Sequence, residues 1–319
     1  MKVAVIGAGM AGLTAARLLQ EAGAEVTVFD KSKGTGGRLA SRSLENGWLD
    51  HGAPYFSADN GEFDNFLRQR VLPEVLVPWQ AEITGELTAD EQLRYVGVPR
   101  NSAVTRALLG SLNFQPSTRI ARLERTEAGW QLYNDGESSL GWWQQVVIAV
   151  PAPQALALVR DIPELAEPLT RVHMEPCWVA ALQTDCVPES LAEVTLAPHP
   201  HLRRVTRNSA KPGRNNNGVY LVQATADWSR EHLEESPAEV GTRLRKLFLS
   251  LLPAAADCDL LLTHRWRYGF TEQALNQACL RSSKLRLGLC GDWCLGRRVE
   301  DAWHSGHEIA TRILASVQS

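Results

Sequence analysis

The chain has 319 residues, 44% of them hydrophobic and 22% charged, with a formal net charge of −3. That length holds one large or two medium domains with a substantial core. The slight acidity gives no reason to expect nucleic acid or an anionic membrane surface as a partner. The longest apolar stretch, residues 146–159, contains two prolines and a glutamine and is too short to span a bilayer. Six cysteines (177, 186, 258, 279, 290 and 294) form no CxxC pair. Neither a zinc site nor a disulfide framework is indicated, and free thiols in a reducing cytoplasm are the expectation. No metal centre and no obligate protein partner are indicated.

The first thirty-eight residues carry the most information. Lys2 before a small, apolar stretch imitates a leader peptide, but Arg17 and Glu21 interrupt that stretch, and a strand followed by a glycine turn explains it better. The apolar run 3–6 leads into Gly7, Gly9 and Gly12. A helix is expected over residues 10–22 and a second strand from Val26, with Asp30 eighteen positions after the third glycine. This is the βαβ dinucleotide fingerprint in its proper context. Gly7 permits the turn out of the strand, Gly9 lets backbone approach a pyrophosphate, and Gly12 lets the helix pack on the sheet. The first helical residues, Met10 and Ala11, offer free N–H groups to phosphate. Asp30 is placed to accept hydrogen bonds from ribose hydroxyls. The fingerprint alone does not separate NAD from FAD.

The segment Lys31-Ser-Lys-Gly-Thr-Gly-Gly-Arg38 follows directly. Its glycine pair lets backbone run along a second stretch of a long cofactor, with the Arg38 guanidinium available for phosphate. This second glycine motif resembles that of the flavin-containing amine oxidase superfamily, and it favours FAD.

Further along, residues 117–125 and 130–133 alternate as strands, with a turn at Asn134-Asp-Gly136. Residues 145–150 form a continuous apolar run, the pattern of a strand buried on both faces, and Pro151-Ala-Pro153 opens a helix through Val159. Residues 203–218, rich in Arg, Asn, Lys and Gly, read as a loop, most clearly at 214–218. A strand over 219–224, a helix over 238–252 and a strand over 285–290 follow. The last helix is expected from Glu300 or Ala302 to Ala315. A final strand ending in Gly291-Asp292 suggests that the carboxyl end returns to the first domain, with Asp292 meeting the cofactor at a second helix amino end. The expected fold is α/β: a Rossmann-type FAD-binding domain of amine-oxidase type over residues 1–56, 98–160 and 285–319. Residues 57–97 and 161–284 would form an α+β substrate domain on a mixed or antiparallel sheet.

Several blocks resemble the bacterial renalases, a branch of that superfamily. They are Phe29-Asp30-Lys31-Ser32, Gly36-Gly37-Arg38, Asp50-His51-Gly52-Ala53-Pro54-Tyr55-Phe56, Arg94-Tyr95-Val96-Gly97 and Arg207-Asn208-Ser209-Ala-Lys211-Pro212. His264-Arg265-Trp266, Cys290-Gly-Asp292-Trp293-Cys294-Leu295 and Arg298-Val299-Glu300-Asp-Ala302-Trp303 with Ser305-Gly306 complete the set. The resemblance implies noncovalent FAD, oxidation of dihydro-NAD(P) isomers to NAD(P)+, and transfer of the electrons to oxygen, giving hydrogen peroxide. It would align Met10, Asp30, Lys31, Arg38, Pro54, Tyr55, Ile120, Asp292 and Val299 along FAD. Tyr55, Phe56, Arg94, Tyr95, Cys177, His264 and Trp266 would face the substrate. Two places depart from the family pattern: Pro54, where a glutamine is expected, and Arg267-Tyr-Gly-Phe270.

Hydride transfer from a dihydronicotinamide leaves a stable aromatic cation, so the protein must orient and stack rather than remove a proton. Tyr55, Phe56, Tyr95, Trp266 and Trp293 are aromatic surface for that purpose. Beside two arginines and a tryptophan, His264 is expected to be neutral. Arg94, Arg207 and Lys211 are candidates for the diphosphate or carboxamide of a dinucleotide substrate. Amine oxidation on the same flavin, or dinucleotide binding without turnover, are the competing readings.

Overall fold

A computed structural model describes residues 1–45, 47–84, 93–185, 194–195, 199–214, 218–253 and 257–318. The chain opens with β1 (Lys2–Ile6), α1 (Met10–Glu21), β2 (Glu25–Phe29), β3 (Ser41–Leu44), β4 (Gly47–Asp50), β5 (Phe56–Ser57), α2 (Gly61–Arg70), β6 (Leu76–Pro78), β7 (Ile83–Thr84) and β8 (Arg94–Gly97). It continues with α3 (Ser102–Leu109), β9 (Asn113–Gln115), β10 (Ile120–Arg125), β11 (Trp130–Asn134), β12 (Ser139–Trp143), β13 (Gln145–Ile148), α4 (Ala152–Val159), α5 (Pro163–Leu169) and β14 (His173–Thr184). The remainder is β15 (Val194–Thr195), β16 (Leu202–Arg207), β17 (Val219–Ala224), α6 (Ala226–Glu231), α7 (Pro237–Leu251), β18 (Cys258–Gln273), β19 (Leu280–Ser282), β20 (Leu287–Leu289) and α8 (Val299–Gln318).

The first sheet has the order β19-β20-β13-β1-β2-β9. Its strands from β20 to β9 run parallel, and β19 closes one edge antiparallel. Strands buried on both faces read as continuous apolar runs, and β1 and β13 do so. One face packs on α1, α3 and α8, around Leu13, Leu19, Val104, Ile309 and Ile313. The other is covered by the β10-β11-β12 meander and by α4 and α5, with Trp130, Trp143, Leu165 and Leu169. Helices α1 and α8 cross closely because Gly306 lies on Ala11: a Cβ there would meet the Ala11 carbonyl oxygen at 2.2 Å.

The second sheet has the order β18-β14-β17-β16-β15-β7, antiparallel except for the parallel β15/β7 pair. Alternation along β14 sends Trp178, Ala180 and Leu182 toward α6 and α7. It sends Cys177, Val179 and Ala181 toward Leu49 of β4. Helix α7 starts in a capping box, Ser236 with Glu239, behind which Val240, Leu244 and Phe248 are buried. Each of those side chains contributes about 2 kcal/mol by burial.

The cores cut across the expected division of the chain. Phe63, Phe66 and Leu67 of α2 join the core of α1, α3 and α8, and α5 joins the core on the other face of the first sheet, although the expected division gives both segments to the substrate domain. β19 extends the first sheet before residue 285. The stretch from residue 203, expected as a loop, begins inside β16. Asn208, Lys211 and Arg214 are buried rather than solvated, and residues 215–217 lie outside the described residues. Composition misled here because these polar side chains turn inward, toward Asp50 and Trp48.

Candidate active site

The glycine turn divides its labour by geometry. Gly7 has φ +114°, and a Cβ on it would meet the Ala149 carbonyl oxygen at 2.5 Å. A Cβ on Gly12 would meet the Gly7 oxygen at 2.0 Å. These two glycines therefore allow strand and helix to touch. Gly9 and Gly37 differ: a Cβ on either would meet nothing within 4 Å except the other's Cα, at 4.0 and 3.4 Å. They face each other across an open cradle, held by the Gly36 N–H donating to the Ala8 oxygen at 2.9 Å. Helix α1 begins at the cradle with no capping side chain and no acidic residue in its first turn. The N–H groups of Met10, Ala11 and Gly12 are thus left for an anion. Asp30 follows β2 and accepts from the Ala8 N–H and the Ser32 N–H, both at 2.7 Å. That aims its carboxylate at the mouth of the turn and leaves lone pairs for a ribose. An uncapped helix, a bare cradle and a carboxylate at the strand end fit the diphosphate and ribose of FAD. Lys31 is exposed beside them, and Ile120, 6% exposed, packs in the core behind the first sheet.

Arg38 makes a bidentate ion pair with Asp292, one of whose contacts is 2.6 Å. Thr271 of β18 donates to the same carboxylate at 3.3 Å. Two residues expected to line the cofactor separately are thereby joined across 254 positions of sequence. Asp292 opens a three-residue 3-10 turn, while α8 begins at Val299. The expected second helix amino end therefore belongs to Val299, not to Asp292.

Residues 51–55 run under the second sheet. A Cβ on Gly52 would meet the Arg38 oxygen at 2.0 Å, and the Ala53 N–H donates to that oxygen at 2.8 Å. From above, the Trp266 indole N–H donates to the His51 oxygen at 2.9 Å. His51 stacks on Trp266 with centroids 5.2 Å apart, and His264 meets both rings edge-on at 5.0 and 4.5 Å. Burial first, then His264 and Arg42, pushes the His51 pKa down to about 3. Burial and Arg42 push that of His264 down to about 4. The expected cause for His264 was wrong in part: Arg265 and Arg267 engage Glu234 on the outside of the sheet. The same pairing takes the departure at Arg267 away from the ring cluster. Cys177 lies opposite Trp266 in the β14/β18 register, and burial raises its thiol to about 11, so it is protonated.

Behind this segment Asp50 is a buried hub. It accepts from Lys211 Nζ at 3.0 Å, Ser41 Oγ at 2.7 Å and the Asn101 N–H at 2.8 Å, and it pairs with Arg214 at 2.5 Å. Asn101 in turn donates to the oxygens of Ala53 and Pro54 at 2.8 and 3.0 Å. Burial alone would raise the Asp50 pKa, but Lys211 and Arg214 outweigh it and hold it below the usual range. Burial, with Arg214, brings Lys211 down to about 8 against the pull of Asp50.

Some expected substrate contacts lie elsewhere. Phe56 and Tyr95 pack in the first core with Phe63, and the Tyr95 hydroxyl donates to Asp64 and accepts from Arg68 on α2. Trp293 is fully buried and donates to the Val150 oxygen at 3.0 Å. Arg207 shares by alternation the Val205 face of β16, which packs toward the helices. Lys211 serves Asp50. These aromatics and cations are consumed by packing and internal pairing, which residue type does not reveal. Tyr55 is half-buried beside Trp79, with the guanidinium carbons of Arg94 and Arg204 lying 5.6 and 5.2 Å from its ring centroid. Sequence reasoning passed over His51, Arg204, Arg214 and Asn101. The His-Gly pair after Asp50 was the one local signal for His51.

Comparison with known proteins fits this geometry. Residues 5–70 match the model for an NAD(P)-binding Rossmann-like domain, and residues 96–314, more than half of the chain, match that for flavin containing amine oxidoreductase. The chain belongs to the flavin-containing amine oxidoreductase family. It is an oxidoreductase, and its cofactor is FAD. An L-amino-acid oxidase from Siganus canaliculatus is 44% identical over 68 residues, which are 21% of this chain and 13% of that protein. A solved triple mutant of putrescine oxidase superposes with a TM-score of 0.74 at 15% identity, covering 99% of both chains. A fatty acid isomerase from P. acnes does so with a TM-score of 0.73 at 11% identity, covering 97% of this chain and 98% of that one. At such identities the likeness is one of fold, and the family fold is clearly not tied to one substrate. Among the described residues no helix is long and apolar enough to cross a membrane.

Proposed function

We propose that this oxidoreductase is renalase-like: it takes a hydride from dihydro-NAD(P) isomers that carry the extra hydride at the wrong ring position, returns NAD(P)+, and passes the electrons to oxygen, giving hydrogen peroxide. One observation carries the reading. The ring cluster holds two imidazoles kept neutral by burial, while the adjoining carboxylate, Asp50, is spent on two cations and two other donors. A primary amine arrives at neutral pH as an ammonium ion and must lose a proton before oxidation. A dihydropyridine needs no base, because its product is an aromatic cation.

Bound FAD supplies the two-electron acceptor. The protein's residues orient the donor. Trp266 and Tyr55 offer aromatic faces, and the neutral rings of His51 and His264 offer a hydrogen-bond acceptor without a competing positive charge. Gly9, Gly37 and the first N–H groups of α1 would hold the diphosphate of FAD, with Asp30 on its ribose. Cys294 is buried in an apolar core and its thiol is pushed far up by burial. It is not poised to form a thioether, which supports noncovalent FAD. The five described cysteines are free and buried, in keeping with a reducing cytoplasm.

The test is anaerobic mixing of the yellow protein with borohydride-generated dihydro-NAD isomers, followed at the flavin absorbance, with NADH and a panel of amines as controls. Rapid bleaching by the isomers and recovery in air is expected. Bleaching by amines with indifference to the isomers would overturn the reading in favour of amine oxidation.

A further inference from the structure

Among the described residues, the buried charges around Asp50 do not balance. One carboxylate faces Lys211 and Arg214, both at hydrogen-bonding distance and both almost completely buried. A third cation, Arg204, reaches the same neighbourhood: it bears on the charge of Lys211, and its guanidinium lies over Tyr55. Two of these cations also have donors to spare. Arg204 Nε and Arg214 Nε are buried, and neither has a hydrogen-bond partner among the described residues. Unpaired donors and surplus charge away from water are costly and are kept where something compensates them. Each cation is held by the fold in a different way. Arg204 stands on β16 beside a register shift, with its guanidinium over the Tyr55 ring. Lys211 and Arg214 come from the turn after it, fixed by Asp50 and by the Gly97 oxygen at 2.9 Å from Arg214 Nη1. Arg94 enters from β8, on the far side of the connection, and lies over the same Tyr55 ring.

We infer that Arg204 and Arg94, flanking Tyr55 and backed by the excess positive charge of Lys211 and Arg214, form a subsite for a phosphate or diphosphate group of the substrate. The subsite rests on the proposed function only for the identity of the molecule bearing the phosphates. It also reassigns the recognition of charge: Arg204, which the sequence did not single out, replaces Arg207 and Lys211. A guanidinium beside an aromatic ring is oriented for bidentate contact with phosphate oxygens, and two such groups fit a diphosphate better than one ammonium would. An anion there would bring the cluster near neutrality. A cationic amine would meet repulsion instead.

The test uses holoenzyme with full flavin occupancy, so that the FAD cradle is closed to added phosphates. Calorimetric titration with inorganic pyrophosphate, ADP-ribose and phosphate-free nicotinamide riboside is compared in wild type, Arg204→Gln, Arg204→Lys and the remote surface variant Arg160→Gln. Pyrophosphate and ADP-ribose are expected to bind wild type and Arg160→Gln equally, and to lose about tenfold or more in affinity in Arg204→Gln. Arg204→Lys should recover part of the loss. ADP-ribose binding more tightly than pyrophosphate places the anion on a nucleotide; equal affinity makes it a site for the free anion and overturns the assignment to substrate. Unchanged binding in Arg204→Gln, or none in wild type, overturns the subsite. Should Arg204→Gln lose flavin, the folded Arg204→Lys and an Arg94→Gln variant carry the comparison, and wild-type affinity in both refutes it. Binding that depends on Arg204 in a protein whose flavin ignores the dihydro isomers would sink the proposed function and leave the subsite standing.

Discussion

Acidification from pH 7 to pH 5 is expected to destabilise the holoenzyme through His51. In the unfolded chain a histidine titrates near 6.5, whereas in the fold burial holds His51 at about 3. Between those values the unfolded state binds the extra proton and the native state does not, so stability falls as the pH falls. At pH 5 the unfolded histidine gains about 1.5 pK units of protonation free energy over the folded one, or about 2 kcal/mol at 1.36 kcal/mol per unit. At pH 7 the same difference is only about 0.2 kcal/mol. His264 adds in the same direction, discounted to roughly half as much because its ring is partly open to solvent. The variant His51→Gln removes the titration while keeping a polar side chain, and the backbone contact to Trp266 does not depend on the ring. Urea unfolding at pH 7 and pH 5, at fixed ionic strength, is followed by tryptophan fluorescence and flavin release. Wild type should lose about 2 kcal/mol more than His51→Gln over that interval. Equal losses in the two proteins would refute the claim that His51 is held neutral by burial.

The two kinds of glycine in the turn should fail differently. Gly9→Ala is expected to fold with little change in melting temperature but to carry much less FAD, because its methyl group points only into the cradle; Gly12→Val, driven into the Gly7 carbonyl, should not give folded protein. The ratio of flavin to protein absorbance and a thermal melt separate these outcomes, and normal flavin content in Gly9→Ala would contradict the cradle. Asp30→Ala should yield largely apo protein, since it loses both the ribose acceptor and the two backbone contacts that order the turn; full occupancy in that variant would refute its role. Asp50→Asn should cost about 3–5 kcal/mol in a denaturant titration because it strands two buried cations, whereas Lys211→Met should cost less, since Arg214 still neutralises Asp50. An Asp50→Asn protein as stable as wild type would show that the buried cations do not depend on this carboxylate.

Much of the architecture was written locally. A glycine turn between two strands, the helix from Met10, the strand at 219–224 and the helix ending near Leu251 each follow from periodicity and capping over a dozen neighbouring residues. The family, the cofactor and the cradle share that origin, because backbone close to a phosphate demands glycine at fixed spacing.

What tertiary structure decided is which side chains are already occupied. Tyr95, Phe56 and Trp293 have the right chemistry for stacking a ring, yet they are core residues. Lys211 is a plausible phosphate ligand in sequence and an internal counterion in the fold. Asp292 and Arg38, each read as meeting the cofactor alone, hold one another. His51 and Arg204 emerge only when β18 and β16 are laid over residues 51–55. Local sequence determines elements because helices, strands and turns are satisfied by near neighbours. A charge or an aromatic ring finds its partner across hundreds of residues, and its role is fixed only when the packing settles what is left unpaired.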